Sequence, residues 1–359
     1  MEKEFITDKE AICLFIVFVI GSSLVISGGG AKNDSWIAVI IGVAMAIPLM
    51  VIYARMISLF PGQNLYDISV TVFGKIGGSI ITIIYIIYAF HLGALVLRNF
   101  GEFIKIVAMP ETPMLFSLFS MGMISIIAAR LGIEVMARTS TFFLPIVFAI
   151  LSIVQLLAIP QFHMEYLKPI LGNGIHPVLN GGFAIFSFPF CETVLFICLF
   201  SSLKSKKSSF RVYKFGILIT TFLFIIVTIR NIGVLGNTLD SYYFPSYEAV
   251  RRIKIGDFLQ RMEVTVSFVL FIGVLFKSSV CLLAAAKGVS KLFKLNDYRS
   301  VVIQIGLMMI YFAYIIYDNS MQMKYWALKI YPYYAFPVQV IIPVILWIFA
   351  EVKVRKSSS

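Results

Sequence analysis

Two ionisable side chains stand in the middle of long apolar stretches: Glu192, at the end of FPFCE, and Lys277, in VLFKSSV. In hydrocarbon either charge costs about 3 kcal/mol or more, so each requires an opposite charge, a set of hydrogen-bonding groups or a wet cavity. Groups so placed can pair, capture a charged ligand or carry a proton. A plainer reading also stands, in which Lys277 packs against carbonyls and Glu192 caps the second half of its own helix. Phe188, Pro189 and Phe190 precede Glu192; Pro189 donates no N–H and its ring clashes with the preceding turn, so the span about Ile175 to Leu203 is expected to be discontinuous or kinked there. Gly21, Ser22 and Ser23 interrupt the first apolar run and form either a second unwound point or a small-residue packing face. Tyr88 and His91 share a helix face, and His91 is a ligand or proton candidate against the ordinary hydrogen-bonded histidine. Ser278 and Ser279 follow Lys277, and Glu263 adds a further charge near the start of the same span. These residues are the candidate binding site, with Glu192, Lys277 and Glu263 as its buried charges.

Enzymatic chemistry is not indicated. The sequence holds no nucleophile beside a base, no metal-ligand spacing and no nucleotide loop, so no catalytic residue, metal or cofactor is expected. Cys13, Cys191, Cys198 and Cys281 all lie in apolar segments and read as small buried hydrophobes.

The elements that must position these residues are membrane spans. The chain is 60% hydrophobic and 13% charged, with 33 Phe and a mean hydropathy of +0.93. Its 30 Lys and Arg against 18 Asp and Glu serve topology and anionic lipid headgroups rather than nucleic acid. The N-terminal MEKEFITDKE is mixed in charge and no small-residue cleavage site follows, so no signal peptide is expected. Hydropathy predicts an all-α polytopic membrane protein with ten transmembrane helices, near 11–30, 36–59, 77–108, 114–129, 139–159, 175–203, 215–235, 257–287, 301–317 and 332–350. Between them, 64–73 reads as a short amphipathic surface segment, 130–138 (RLGIEVMAR) as a salt-bridged separator, 204–214 as a basic linker and 236–256 as a polar connection able to form a lid. An even count puts both termini on one side, and the excess of Lys and Arg on that side's segments places both inside.

The interrupted spans are the first and the sixth, five apart in ten. That correspondence points to a single transmembrane domain over 1–359 built as a five-plus-five inverted repeat, about 8–159 and 172–350, with the site at the repeat interface. Half-helix N-termini would face an anionic group and unwound carbonyls a cation, which suits a zwitterionic amino acid, with Phe188 and Phe190 as apolar wall.

AKNDSW at Ala31–Trp36, MPETP at Met109–Pro113, GIEVMAR at Gly132–Arg138, FPFCE at Phe188–Glu192 and RME at Arg261–Glu263 resemble the pattern of the spore germination receptor B subunits of the GerAB type, over nearly the whole chain. The resemblance implies a LeuT-like fold within the amino acid/polyamine/organocation transporter superfamily, residence in the bacterial spore inner membrane, A and C subunits as partners, and the sensing of a nutrient such as an amino acid or sugar. Cys191 departs from the small residue, commonly glycine, expected in FPFCE. In LeuT-like proteins the first and eighth spans can hold sodium, and Lys277 is placed to supply a fixed ammonium there. The function so implied is a germinant-receptor subunit; the alternatives are a secondary amino-acid transporter, proton-coupled through Glu192, and an ion or water channel active in germination.

Overall fold

A computed structural model of the chain describes residues 5–21, 30–203, 205, 207–253 and 262–358. Among these the α-helices are α1 Asp8–Ile20, α2 Ser35–Leu59, α3 Leu65–Phe103, α4 Met114–Leu131, α5 Ile133–Leu157, α6 Ile175–Ile185, α7 Ser208–Leu235, α8 Pro245–Arg251, α9 Glu263–Leu292, α10 Arg299–Ile315, α11 Ser320–Tyr325, α12 Tyr331–Phe336 and α13 Ile342–Ser358. Strand pairing among the described residues is limited to one parallel bridge, Ile6 to Leu203. Helices satisfy their own backbone, as hydrocarbon requires, and eight helical runs among the described residues are long and apolar enough to cross a membrane. The chain is an all-α, multi-pass membrane protein.

The remaining two expected spans are shorter helices among the described residues and fall outside these eight. α10 has 17 residues, about 26 Å of helix against a core of about 30 Å. α1 has 13, and the continuation through Ser22, Ser23 and Gly28 lies outside the described residues.

Local chemistry sets the ends. Thr7 and Glu10 exchange hydrogen bonds in a capping box that starts α1, and Asn64 with Asp67 does the same for α3. The 64–73 segment is not a free surface element: it begins α3, which turns at Gly74, and Leu65, Tyr66 and Ile68 are buried, with the Tyr66 hydroxyl donating to the Ala284 carbonyl at 2.7 Å. The separator expected over 130–138 contracts to one residue. Gly132, at φ 95°, ends α4 and starts α5, a conformation only glycine adopts freely. The salt-bridged part of that reading holds in another form, since Arg138 pairs with both Glu134 and Glu10. The basic linker is largely helical, because α7 begins at Ser208. In the 236–256 connection, Gly236–Ser241 is 3-10 helix and α8 follows, with the Phe244 and Tyr247 rings against Phe103; residues 254–256 lie outside the description. The last span starts earlier than Pro332: π-helical turns at Trp326–Ile330 and Pro337–Ile341 join α11, α12 and α13 into one run, and the charged tail continues the helix.

The core is organised around the sixth span and α9. In each, 83% of the apolar window is buried within the protein, against 28% for α5, so these two lie at the centre and α5 faces outward. α9 packs along α3 and also meets α1, α4, α5 and α10. Where α1 ends, Gly21 lies backbone to backbone on Gly273 of α9; a Cβ there would sit 2.6 Å from the Gly273 carbonyl.

Candidate functional site

The sixth span changes its winding twice. After α6 comes a π-helical stretch, Phe186–Phe190, and then 3-10 helix from Cys191 to Cys198; within the first, Phe188 leaves helical geometry altogether at φ −130°, ψ 110°. Pro189 supplies one cause, since it cannot continue the hydrogen-bond ladder. The altered winding turns Ser187, Phe188 and Glu192 toward the same interior region.

There Glu192 Oε2 forms an ion pair with Lys277 Nζ; both residues are buried, at 0% and 1% exposure. The contact is direct, in place of the plainer reading in which Lys277 packs against carbonyls and Glu192 caps its own helix. Tyr331 of α12 donates to Glu192 Oε1 at 2.6 Å, and its hydroxyl lies 3.1 Å from that of Tyr88 on α3. Gln339 Nε2 donates to the Tyr88 hydroxyl at 2.8 Å and to the Ser187 carbonyl at 2.9 Å, while Ser187 Oγ donates to Gln339 Oε1 at 2.9 Å. Tyr53 of α2 completes the set by donating to the Gln339 carbonyl. The ammonium of Lys277 also lies 4.6 Å from the Phe188 ring centre and 5.2 Å from that of Phe18 on α1, within range of cation–π attraction. Six spans thus converge on one buried network.

Of the candidates, Tyr88, Phe188, Glu192 and Lys277 belong to this network. His91 does not: its ring is boxed by Phe312, Trp326 and Tyr334, with Nδ1 buried and without a hydrogen-bond partner. Ser278 faces α4, bonded to Ser125 at 2.7 Å, and Ser279 turns back to the Leu275 carbonyl at 2.6 Å. Glu263 stands in the first turn of α9, about 21 Å along the helix from Lys277. Phe190 and Pro189 are buried, Phe190 against Phe224 of α7 at 5.5 Å. Gly21 is committed to Gly273, and Ser22 and Ser23 lie outside the described residues. Tyr331, Gln339, Phe18 and Tyr53 were not anticipated. Gln339 carried a signal, a lone amide in the apolar run YAFPVQVII, eight residues and about two turns after Tyr331.

The site is closed. The cavity beside Phe188 and Tyr331 measures about 20 Å³, room for a water molecule, and is lined also by Asn99, Tyr317 and Trp326. Tyr317 OH and Trp326 Nε1 are buried there without hydrogen-bond partners. A far larger vestibule, about 1280 Å³, opens at the end of the bundle that holds Phe5 and the C-terminus of α9, and Lys75, Lys287, Lys291, Lys294 and Arg299 line it. Lys291 pairs with Asp67, and Arg299 Nη1 lies 3.5 Å from Asp297. The vestibule reaches Thr82, six residues and about 9 Å along α3 from Tyr88.

A membrane bundle with a wide vestibule at one end and an occluded ionic site at its centre has the form of a small-molecule transporter. Solved structures agree on the fold: the chain superposes with a TM-score of 0.74 on Mhp1, a nucleobase-cation-symport-1 family transporter in a closed conformation with bromovinylhydantoin bound, at 12% identity, covering 95% of this chain and 78% of that one. MhsT in complex with L-phenylalanine gives 0.70 at 11% identity, over 99% of this chain and 100% of that one. Within this class the sequence is more specific. The chain belongs to the spore germination protein family, whose model matches residues 5–322. It is 30% identical to spore germination protein KB of Bacillus subtilis (strain 168), over 99% of this chain and 97% of that one, and 27% identical to spore germination protein A2 of the same organism, over 79% and 76%. It is a germination membrane protein of transporter-like fold, not an enzyme.

Proposed function

We propose that this chain is the ligand-sensing membrane subunit of a spore nutrient-germinant receptor, that it binds a small nutrient, an amino acid by class, beside the Lys277–Glu192 pair, and that binding is passed to A and C subunits in the spore inner membrane. The observation that carries the reading is the buried pair itself, held by Tyr331 and Phe188 where the first, sixth, eighth and last spans converge. An ammonium and a carboxylate side by side match the two charges of an amino acid, and the neighbouring rings offer its side chain an apolar wall. In this reading there are ten spans in two inverted repeats, about 8–159 and 172–350, both termini lie inside, and the first and sixth spans are interrupted near Gly21 and Phe188. Lys277, against Phe18 of the first span, takes the place a sodium ion would occupy, so binding is sodium-independent.

The small size of the central cavity makes the reading dynamic. An amino acid does not fit in 20 Å³, so the helices must part, and the ligand favours the open packing only by binding it more tightly than the closed one. A secondary transporter is the second reading, favoured by the vestibule leading toward the site. Proteoliposomes holding the purified chain separate the two. Saturable binding of a labelled amino acid with no uptake, with or without a pH gradient, is the receptor outcome; concentrative uptake driven by the gradient overturns it in favour of transport. Absence of binding for every amino acid tested would remove the ligand assignment.

A further inference from the structure

Away from the central network, Arg230 near the end of α7 is 4% exposed, yet no carboxylate stands beside it among the described residues. Its Nε and Nη2 both donate to Asn231 Oδ1, at 3.2 and 2.7 Å, and Asn231 is held in turn by Ser246 at 2.9 Å. Nη1 has no partner. On α5, Gln155 Nε2 is likewise buried and without a partner. Both residues line one groove of about 300 Å³ between α5 and α7, whose other walls are Ala158, Ile159, Phe162, Ile226 and Ile229. Two orphan donors, one of them cationic, therefore stand in an otherwise apolar groove.

A buried charge without a counter-ion is costly, and an unmet buried donor adds to that cost. An acceptor that brings negative charge removes both costs. The depth identifies its class. Arg230 lies five residues, about 8 Å, before the end of α7 at Leu235, and Gln155 lies two residues before the end of α5 at Leu157, so both are at the level where a bilayer places its headgroups. The apolar walls suit an acyl chain, and the guanidinium fork suits a phosphate. One wall is fixed in place: the His163 N–H donates to the Gly233 carbonyl at 2.8 Å, which lays the 159–167 segment across α7.

We propose that this groove is a built site for one anionic phospholipid, its phosphate on Arg230 Nη1 and Gln155 Nε2 and an acyl chain along Ile226, Ile229 and Ile159. The test uses the full chain in detergent micelles, titrated with phosphatidylglycerol or phosphatidylcholine, with retained lipid counted by native mass spectrometry and the thermal midpoint followed alongside. Phosphatidylglycerol is expected to be retained at about tenfold lower concentration than phosphatidylcholine and to raise the midpoint, tenfold corresponding to about 1.4 kcal/mol. Arg230→Met should abolish the preference. Should that variant not accumulate, Ile229→Trp, which fills the groove and keeps the charge, should lower retention by a similar factor. Equal retention of the two lipids, retention by Ile229→Trp at the wild-type level, or no retained lipid overturns the proposal. Protection by inorganic phosphate alone overturns it in favour of a free anion, and retention of a protein partner in the groove in place of lipid overturns it as well.

Discussion

Replacing Lys277 with Met tests the centre of the molecule. The substitution keeps the volume and leaves Glu192, which is fully buried, with Tyr331 as its remaining charge-stabilising partner among the bonds described above. Removing one member of a buried pair costs about 3–5 kcal/mol, because the other charge stays desolvated. Loss of the two cation–π contacts adds on the order of 1 kcal/mol. Lys277→Met is therefore expected to lower the thermal midpoint of the purified protein by several degrees. Adding Glu192→Gln should restore much of it, since an uncharged pair of similar size carries no such penalty, and the double-mutant cycle should give a coupling of about 2–3 kcal/mol. Spores carrying either variant should fail to respond to the nutrient, or respond only with sodium present, while the double variant accumulates. Additive effects in the cycle would refute the ion-pair argument, and a normal sodium-independent response from Lys277→Met would refute the role assigned to the ammonium.

Tyr331→Phe removes the hydroxyl bound to Glu192 and should cost about 1.5–3 kcal/mol, read as a lower thermal midpoint, with a higher nutrient concentration needed for half-maximal germination. Gly21→Ala drives a methyl into the Gly273 backbone, so the expected outcome is reduced protein in the membrane by immunoblot; normal accumulation with altered nutrient preference would return Gly21 to the binding site. Phe190→Ala opens a cavity against Phe224 at about 3–5 kcal/mol, so its germination defect should scale with lost protein, and a defect at full abundance would contradict that.

The two charges were legible because a carboxylate or an ammonium inside an apolar run has few explanations, and Pro189 marked where the winding would change. Their mutual contact was not, because it depends on how two distant spans are rotated. Tyr88 and His91 illustrate the limit: three residues apart on one face, they are separated by about 60° of rotation, enough to place one in the polar network and the other in an aromatic box. Tyr331 and Gln339 are hard to read from the sequence because neither carries a formal charge, so neither breaks the apolar pattern sharply. The seam between α4 and α5 is shorter than its charged residues suggest, because one glycine suffices for the turn and the charges lie on the helix ends.

The amide of Gln339 gives the central hydrogen bonds a direction. The Ser187 carbonyl can only accept, so its bond fixes the amide nitrogen on that side; the same nitrogen then donates to Tyr88, and the amide oxygen accepts from Ser187 Oγ. The Tyr88 oxygen therefore receives a hydrogen from the amide and must send its own to Tyr331, which sends its own to Glu192. Every O–H dipole in the row points toward the carboxylate. Such a row works like a ratchet in one respect: a proton arriving on Glu192 would confront a hydroxyl already pointing at it, and reversing the chain would end against an amide N–H, which accepts nothing. Under the proposed function, a ligand group that meets the Tyr331 hydroxyl would have to be a hydrogen-bond acceptor, as a carboxylate is and an ammonium is not.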